Sequence, residues 1–154
     1  MEKENLIMQN FAFDVMYENL ECSKIPLTGQ KPVGIIFGSH LITLNDSPSA
    51  MNWEAAMDYC HNIKIGGYAC SAGNVVFWQE LMSDKKKRLL DILLLRCRGE
   101  ALGRMWRWTL SEYDRKHAYK FSPQSTFPFS LDFKDNGCHG NYVRPVLDLE
   151  NLSL

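Results

Sequence analysis

Met105-Trp106-Arg107-Trp108-Thr109, Ala118-Tyr119-Lys120-Phe121, Phe129-Ser130-Leu131-Asp132-Phe133 and Tyr142-Val143-Arg144-Pro145-Val146-Leu147 are four short runs rich in aromatic and β-branched residues. Turn-forming residues separate them: Asp114 to Lys116, Ser122-Pro123 and Asp135-Asn136-Gly137. Each run reads as a strand, because such side chains suit a pleated surface while Asp, Asn, Gly and Pro suit the bends between. Upstream lies helical sequence, and no alternation of strand and helix runs through the chain. Strands, then helices, then a block of strands predict an α+β fold with an antiparallel sheet.

Working back from that block, Val75 to about Arg98 is mostly helix-forming, with Leu81, Met82, Leu89, Leu90, Leu93, Leu94 and Cys97 sharing a broad apolar face. A break near Ser83-Asp84 is expected, although one continuous helix also fits, because Lys85 to Arg88 would oppose the positive N-terminal end of a new helix dipole. An earlier helix starts at Asn52, whose side chain can accept from an early backbone N–H, and Glu54 suits its first turn. Trp53, Ala56, Met57, Cys60 and Ile63 form its buried stripe, and Gly66-Gly67 ends the element. Val33-Gly34-Ile35-Ile36-Phe37 and His40-Leu41-Ile42-Thr43-Leu44 flank Gly38-Ser39 and predict a hairpin. In the leading segment, Phe11, Phe13, Val15 and Tyr17 alternate with Ala12, Asp14, Met16 and Glu18, which is the period of a strand.

Composition bounds what such a chain can do. With 154 residues, 45% hydrophobic and 23% charged, it is long enough to bury one ordinary core. Seventeen Lys and Arg against eighteen Asp and Glu give a net charge of −1, so the basic excess that nucleic-acid binding uses to displace phosphate counterions is absent. No apolar run of membrane-spanning length occurs, so membrane insertion is not expected. Met1 to Asn5 lacks a basic region leading into an apolar stretch, so no secretory signal is expected. A cell-surface or virion location would require a removed leader or a phage-derived gene, and otherwise the protein stays where it is made. Five cysteines without paired spacing suggest buried thiols, with one bridge left open.

Several motifs fall in a familiar order. Val33-Gly34-Ile35-Ile36 precedes Trp53-Glu54-Ala55-Ala56 with Tyr59-Cys60, then Gly66-Gly67, then Glu80-Leu81. Trp108-Thr109-Leu110-Ser111-Glu112-Tyr113 comes shortly before Ala118-Tyr119, and Tyr142-Val143-Arg144-Pro145-Val146 closes the pattern. Over roughly residues 33–149 this resembles a branch of the C-type lectin-like family. The branch includes the C-terminal domains of collagen-like adhesins, the variable proteins of diversity-generating retroelements and formylglycine-generating enzymes, and its small members are common in gut bacteria and phages. The resemblance implies a C-type lectin-like fold with two main helices and a long irregular loop region over residues 33–154, preceded by a strand-forming extension over residues 1–32. The sequence departs from the pattern at Tyr68 to Asn74, where an Arg-Leu-Pro or Leu-Pro element is usual, and at Leu110, where a serine is usual. The calcium-holding Glu-Pro-Asn, Gln-Pro-Asp and Trp-Asn-Asp motifs of sugar-binding members are absent, so calcium-dependent binding is not expected.

Each chemical possibility has a plain alternative. His40, His61, His117 and His139 show no metal-ligand spacing, and adjacent pairs such as Cys60-His61 and Cys138-His139 point their side chains apart, so no metal or other cofactor is expected. Cys70, in the small-residue loop Gly66 to Gly73, could serve as a nucleophile if a cation or helix terminus lowered its pKa and His117 or His139 lay near. Lys85 to Arg88 reads as the wet face of a Leu-rich helix. Residues 104–141 concentrate Arg, aromatic and turn residues, the composition of a recognition surface on loops. Among the aromatics, Trp106, Trp108, Tyr119, Phe121 and Phe133 are read as core or alternating between faces. Tyr113, Arg115, His117, Phe127 and His139 are read as exposed.

The resulting expectation is a non-catalytic module that binds a protein or glycan partner through Arg107, Tyr113, Arg115, His117, Phe127, Asn136, His139 and Asn141. Retroelement variable proteins, which the chain resembles, place their ligand surface in the loops before the last strand. The alternatives are a cysteine-dependent enzyme using Cys70 or Cys138, and a structural component of a surface fibre or phage virion, for which self-assembly into a homo-oligomer would be the sign.

Overall fold

A two-residue turn at Gly38-Ser39, with Gly38 at φ +59°, lets the chain reverse between two runs that favour extended backbone. The computed structural model describes residues 13–24, 27, 29–137 and 140–152. In chain order its elements are β1 (Phe13–Tyr17), β2 (Cys22–Ser23), β3 (Pro32–Phe37), β4 (His40–Thr43), α1 (Trp53–Asn62), β5 (Lys64–Ile65) and β6 (Tyr68–Ala69). Then come α2 (Val75–Glu80), α3 (Asp84–Arg96), β7 (Trp106–Glu112), β8 (His117–Phe121), β9 (Phe129–Phe133), β10 (Asn141–Tyr142) and β11 (Val146–Asp148). The fold is α+β.

Among the described residues the first sheet has five strands in the order β11-β4-β3-β1-β2, all antiparallel, the second has four in the order β10-β7-β8-β9, and β5 and β6 form a small two-stranded third. β1 therefore lies inside the first sheet, and Phe13, Val15 and Tyr17 bury one face of it while Asp14 and Met16 stay half-exposed. Phe11, at the start of the expected strand, lies outside the described residues. The second sheet is not wholly antiparallel, because β10 runs parallel to β7. The expected last strand, Tyr142 to Leu147, is split between the two sheets as β10 and β11. Between them Val143, Arg144 and Pro145 leave the ladder, and the Arg144 guanidinium turns inward.

The helices begin where short polar side chains satisfy free amides. Asn52 Oδ1 accepts from the Ala55 N–H at 2.8 Å, Asn74 Oδ1 from Phe77 at 2.8 Å and Ser83 Oγ from Lys86 at 3.3 Å. Ser83 thus divides the long helical stretch at the expected break, giving three helices among the described residues, the short α2 lying between the two longer ones in the chain. Asp84 occupies the first turn of α3 and pairs with Lys87 at 3.3 Å, which offsets the cationic run at that positive terminus. α1 ends at Asn62, earlier than its glycines suggest. Gly66 and Gly67, at φ +58° and +85°, instead make the reversal of a small hairpin between β5 and β6, a turn that needs positive φ at both central residues.

The main core lies between the first sheet and α2 and α3. Leu89, Leu90, Leu93 and Leu94 of α3, with Trp78 and Leu81, pack against Phe13, Val15, Ile35, Ile42 and Val146. Each such side chain removed from water stabilises the fold by about 1.5–3 kcal/mol before entropy is counted. Phe121 of β8 stacks on Trp78 with ring centres 4.3 Å apart, so the second sheet shares this core. A second cluster joins Ala56 and Cys60 of α1 to Trp108, Ala118 and Val143, and thereby fixes α1 under the second sheet.

Candidate functional site

The second sheet is locked to the first by a buried charge cluster. Asp46, in the loop after β4, accepts from Arg107 Nε at 2.6 Å, Arg107 Nη2 at 2.8 Å and Arg144 Nε at 2.9 Å. Both guanidinium groups are fully buried. Their remaining donors reach the carbonyls of Met105, Thr43 and Glu100 at 2.8–3.0 Å. Burial pushes the Asp46 carboxyl up, but the hydrogen bonds from Arg107 and the two positive charges outweigh it and hold it below its ordinary value. Bidentate Arg–carboxylate geometry gives this joint direction as well as strength.

On that frame the β7–β8 turn carries the exposed residues. Asp114 Oδ1 accepts from the backbone N–H groups of Lys116 at 2.9 Å and His117 at 2.7 Å, and lies 2.8 Å from His117 Nδ1. This side-chain-made turn sets the direction of Tyr113 and Arg115. The His117 hydrogen bond, with the two amides, holds the Asp114 carboxyl below its usual range. The His117 ring lies 4.5 Å from that of Phe133 on β9, and Tyr113 meets Tyr119 edge-on at 6.1 Å and His117 at 6.5 Å. These four rings form a cluster whose outer members are open to solvent, Tyr113 60% and Phe133 57% exposed. Large apolar rings left in water beside polar groups are what interfaces cover on binding.

Beside the cluster is a surface cleft of about 500 Å³, lined by Phe133, Arg115, Lys116, Lys134, Asp135, Asn52 and Glu54. Its size is that of an ordinary ligand pocket. The Trp53 N–H donates to the Lys134 carbonyl at 2.8 Å, which ties the start of α1 to the end of β9 and closes one side. Lys134 Nζ is held by Glu112 at 2.6 Å and stands 4.8 Å above the Trp53 ring. Phe133 belongs to both cleft and cluster, so the two form one continuous surface.

The expected contact residues divide accordingly. Tyr113, Arg115 and His117 converge on this surface. Among the described residues Phe127 is the most exposed of the large apolar side chains, at 77%, but it sits at the opposite end of the β8–β9 hairpin. Asn136 is half-buried and donates to Asp132 Oδ2 at 3.0 Å, a bond internal to the sheet's end. Two expected contacts need correction. Arg107 is in the interior because Asp46 pairs with it there, and Asn141 is buried, donating to Asp132 Oδ2 at 2.6 Å. His139 and Cys138 lie outside the described residues. Phe133, read as core or alternating, is exposed and central, and Asn52, Lys134 and Trp53 were missed. The signal for Phe133 was the period of β9, which places it on the face of Leu131 and Phe129 without showing whether anything covers that face.

Cys70 is 4% exposed, and burial pushes its thiol up to about 11 although Lys64 pulls the other way. Such a thiol stays protonated at neutral pH. Cys60 is raised further by burial and by Cys70, and Cys97 is raised to about 11 by burial. Among the described residues no three His, Cys, Asp or Glu side chains come together as metal donors, and no helix is long and apolar enough to cross a membrane. No protein-family model matches the chain, and no curated protein matches it.

Proposed function

We propose that this protein is a non-catalytic binding module of C-type lectin-like fold, which recognises a protein or glycan partner through the surface formed by Tyr113, Arg115, His117, Tyr119 and Phe133. The observation that carries the reading is the exposed aromatic cluster beside the cleft, on a sheet tied to its neighbour by the buried Asp46–Arg107–Arg144 bonds. The rings offer contact area at small entropic loss, and Arg115, Lys116, Asn52 and Asp135 offer directed polar contacts around it. The fold assignment is supported by the motif order and by two antiparallel-rich sheets that share one core, the first containing both β1 and β11. The cysteine alternative gains nothing from a buried, protonated Cys70. The test is a glycan array together with capture from cell-surface extracts, run with the whole chain and with Tyr113→Ala and Phe133→Ala. A partner bound by the parent and lost by both folded variants supports the reading. No binding above background in either format, or binding that both variants retain, overturns it.

A further inference from the structure

β9 is the only strand of more than three residues that forms a sheet edge among the described residues, and no other described strand pairs with its outer side. The other edges are short or covered. β2 and β10 have two residues each, β10 is flanked by the amides of Ser47 and Met51, and β11 is bridged by Ser71. Natural sheets blunt their edges in such ways because unpaired main-chain groups invite another strand. β9 has five paired residues and no proline within it.

Hydrogen bonding fixes which way each residue of β9 faces. Lys134 N–H donates to the Lys116 carbonyl and Ser122 N–H to the Pro128 carbonyl, so even-numbered residues bond toward β8. Phe129, Leu131 and Phe133 therefore direct their amides and carbonyls outward. Those of Phe133 are engaged, the N–H by Asp132 Oδ1 at 2.8 Å and the carbonyl by the Asn136 N–H at 3.0 Å. Those of Phe129 and Leu131 have no hydrogen-bond partner among the described residues.

We infer that this edge pairs antiparallel with β9 of a second copy of the chain, in the register that centres the two-fold axis on Ser130. That register sets Phe129 of each copy against Leu131 of the other, and the four donors and four acceptors left free in the two copies satisfy one another. The facing side chains agree with it. Phe129–Leu131 pairs lie on one face, the two Ser130 hydroxyls meet on the other, and Asp132 faces Pro128, so no like charges oppose. A different partner would have to supply this complementarity, whereas a second copy supplies it by symmetry. The two four-stranded sheets then become continuous, and the two aromatic clusters stand on the same face of the joined sheet. This pairing needs no ligand and is independent of what the clusters bind.

The experiment is sedimentation equilibrium of the whole chain over a dilution series, without ligand. The parent is expected to reach twice the 17.7 kDa chain mass. Leu131→Pro removes an N–H that β8 does not use, and Ser130→Lys puts two cations at the two-fold axis. Each is expected to weaken dimerisation at least about tenfold. Ser130→Cys, oxidised with glutathione disulfide, is expected to give a covalent dimer linked through the two introduced thiols. Cα atoms at a non-hydrogen-bonded antiparallel pair lie about 4.5 Å apart, within disulfide reach. A parent that stays at 17.7 kDa throughout, or a dimer that Ser130→Lys leaves as tight as before, would overturn the inference.

Discussion

Replacing Asp46 with asparagine keeps the shape of the side chain and removes its charge, leaving the fully buried guanidinium groups of Arg107 and Arg144 without their shared counter-ion. The three charge-assisted bonds at 2.6–2.9 Å become at best neutral ones, and the two cations then repel across a space closed to water. Removing one partner of a buried ion pair costs about 3–5 kcal/mol. In a chain of 154 residues that corresponds to a fall in Tm of about 6–20 °C. Urea denaturation followed by tryptophan fluorescence is the assay, since Trp78 and Trp108 are fully buried and report the loss of both clusters. Lys24→Met, which removes an exposed partner of Asp14, serves as the control and is expected to change stability by less than about 1 kcal/mol. The pH dependence has a definite sign. Because the folded-state pKa of Asp46 is depressed below 3.8, its contribution is whole above the unfolded value and is lost as the pH falls through the folded one. The gap between parent and Asp46→Asn is therefore expected to hold from neutrality to about pH 5 and to narrow below about pH 4. An Asp46→Asn variant within about 1 kcal/mol of the parent, or a gap that widens in acid, would refute the assignment of Asp46 as the charged joint between the sheets.

Three further outcomes are expected. Gly34→Ala would place a Cβ 2.5 Å from the Ile42 carbonyl oxygen in the middle of the first sheet, and overpacking of that kind costs about 1–3 kcal/mol in urea denaturation. Maleimide labelling of the native protein at neutral pH should modify the exposed Cys22 and spare Cys60, Cys70 and Cys97 until urea is added, and rapid native labelling of Cys70 would reopen the cysteine-enzyme alternative. Asp132→Ala removes the acceptor of Lys120, Asn136 and Asn141, and should speed amide hydrogen exchange at Asn136 and Asn141.

The parts legible in the sequence are those set by neighbours along the chain. The Gly38-Ser39 hairpin, the Asn52 cap and the break at Ser83 each depend on a few adjacent residues, and local chemistry decides them. Contacts between distant residues were not legible. Arg107 reads as a surface cation in a strand, and only Asp46, 61 residues away in sequence, explains its burial. Val143-Arg144-Pro145 reads as part of a strand, with Pro145 at an edge or the end of a ladder and Arg144 holding a loop or the sheet edge through its forked donors, but which acceptors Arg144 finds depends on residues far away in sequence. Phe121 and Phe133 lie on the same face of β8–β9, yet Trp78 stacks on one, which is fully buried, while the other is left more than half exposed. Period 2 identifies a face, and tertiary packing decides whether it is core or contact surface.

The most direct measurement is the binding of Phe133→Ala relative to the parent, on the strongest glycan or surface protein that the parent retains, with unchanged urea unfolding as proof of fold. Phe133 lines the cleft and touches His117, so its ring stands where the two parts of the surface meet. Truncating a central aromatic anchor typically costs about 2 kcal/mol or more, so a loss of at least about thirtyfold in affinity is expected. Equal binding by a folded Phe133→Ala variant would contradict recognition through this face.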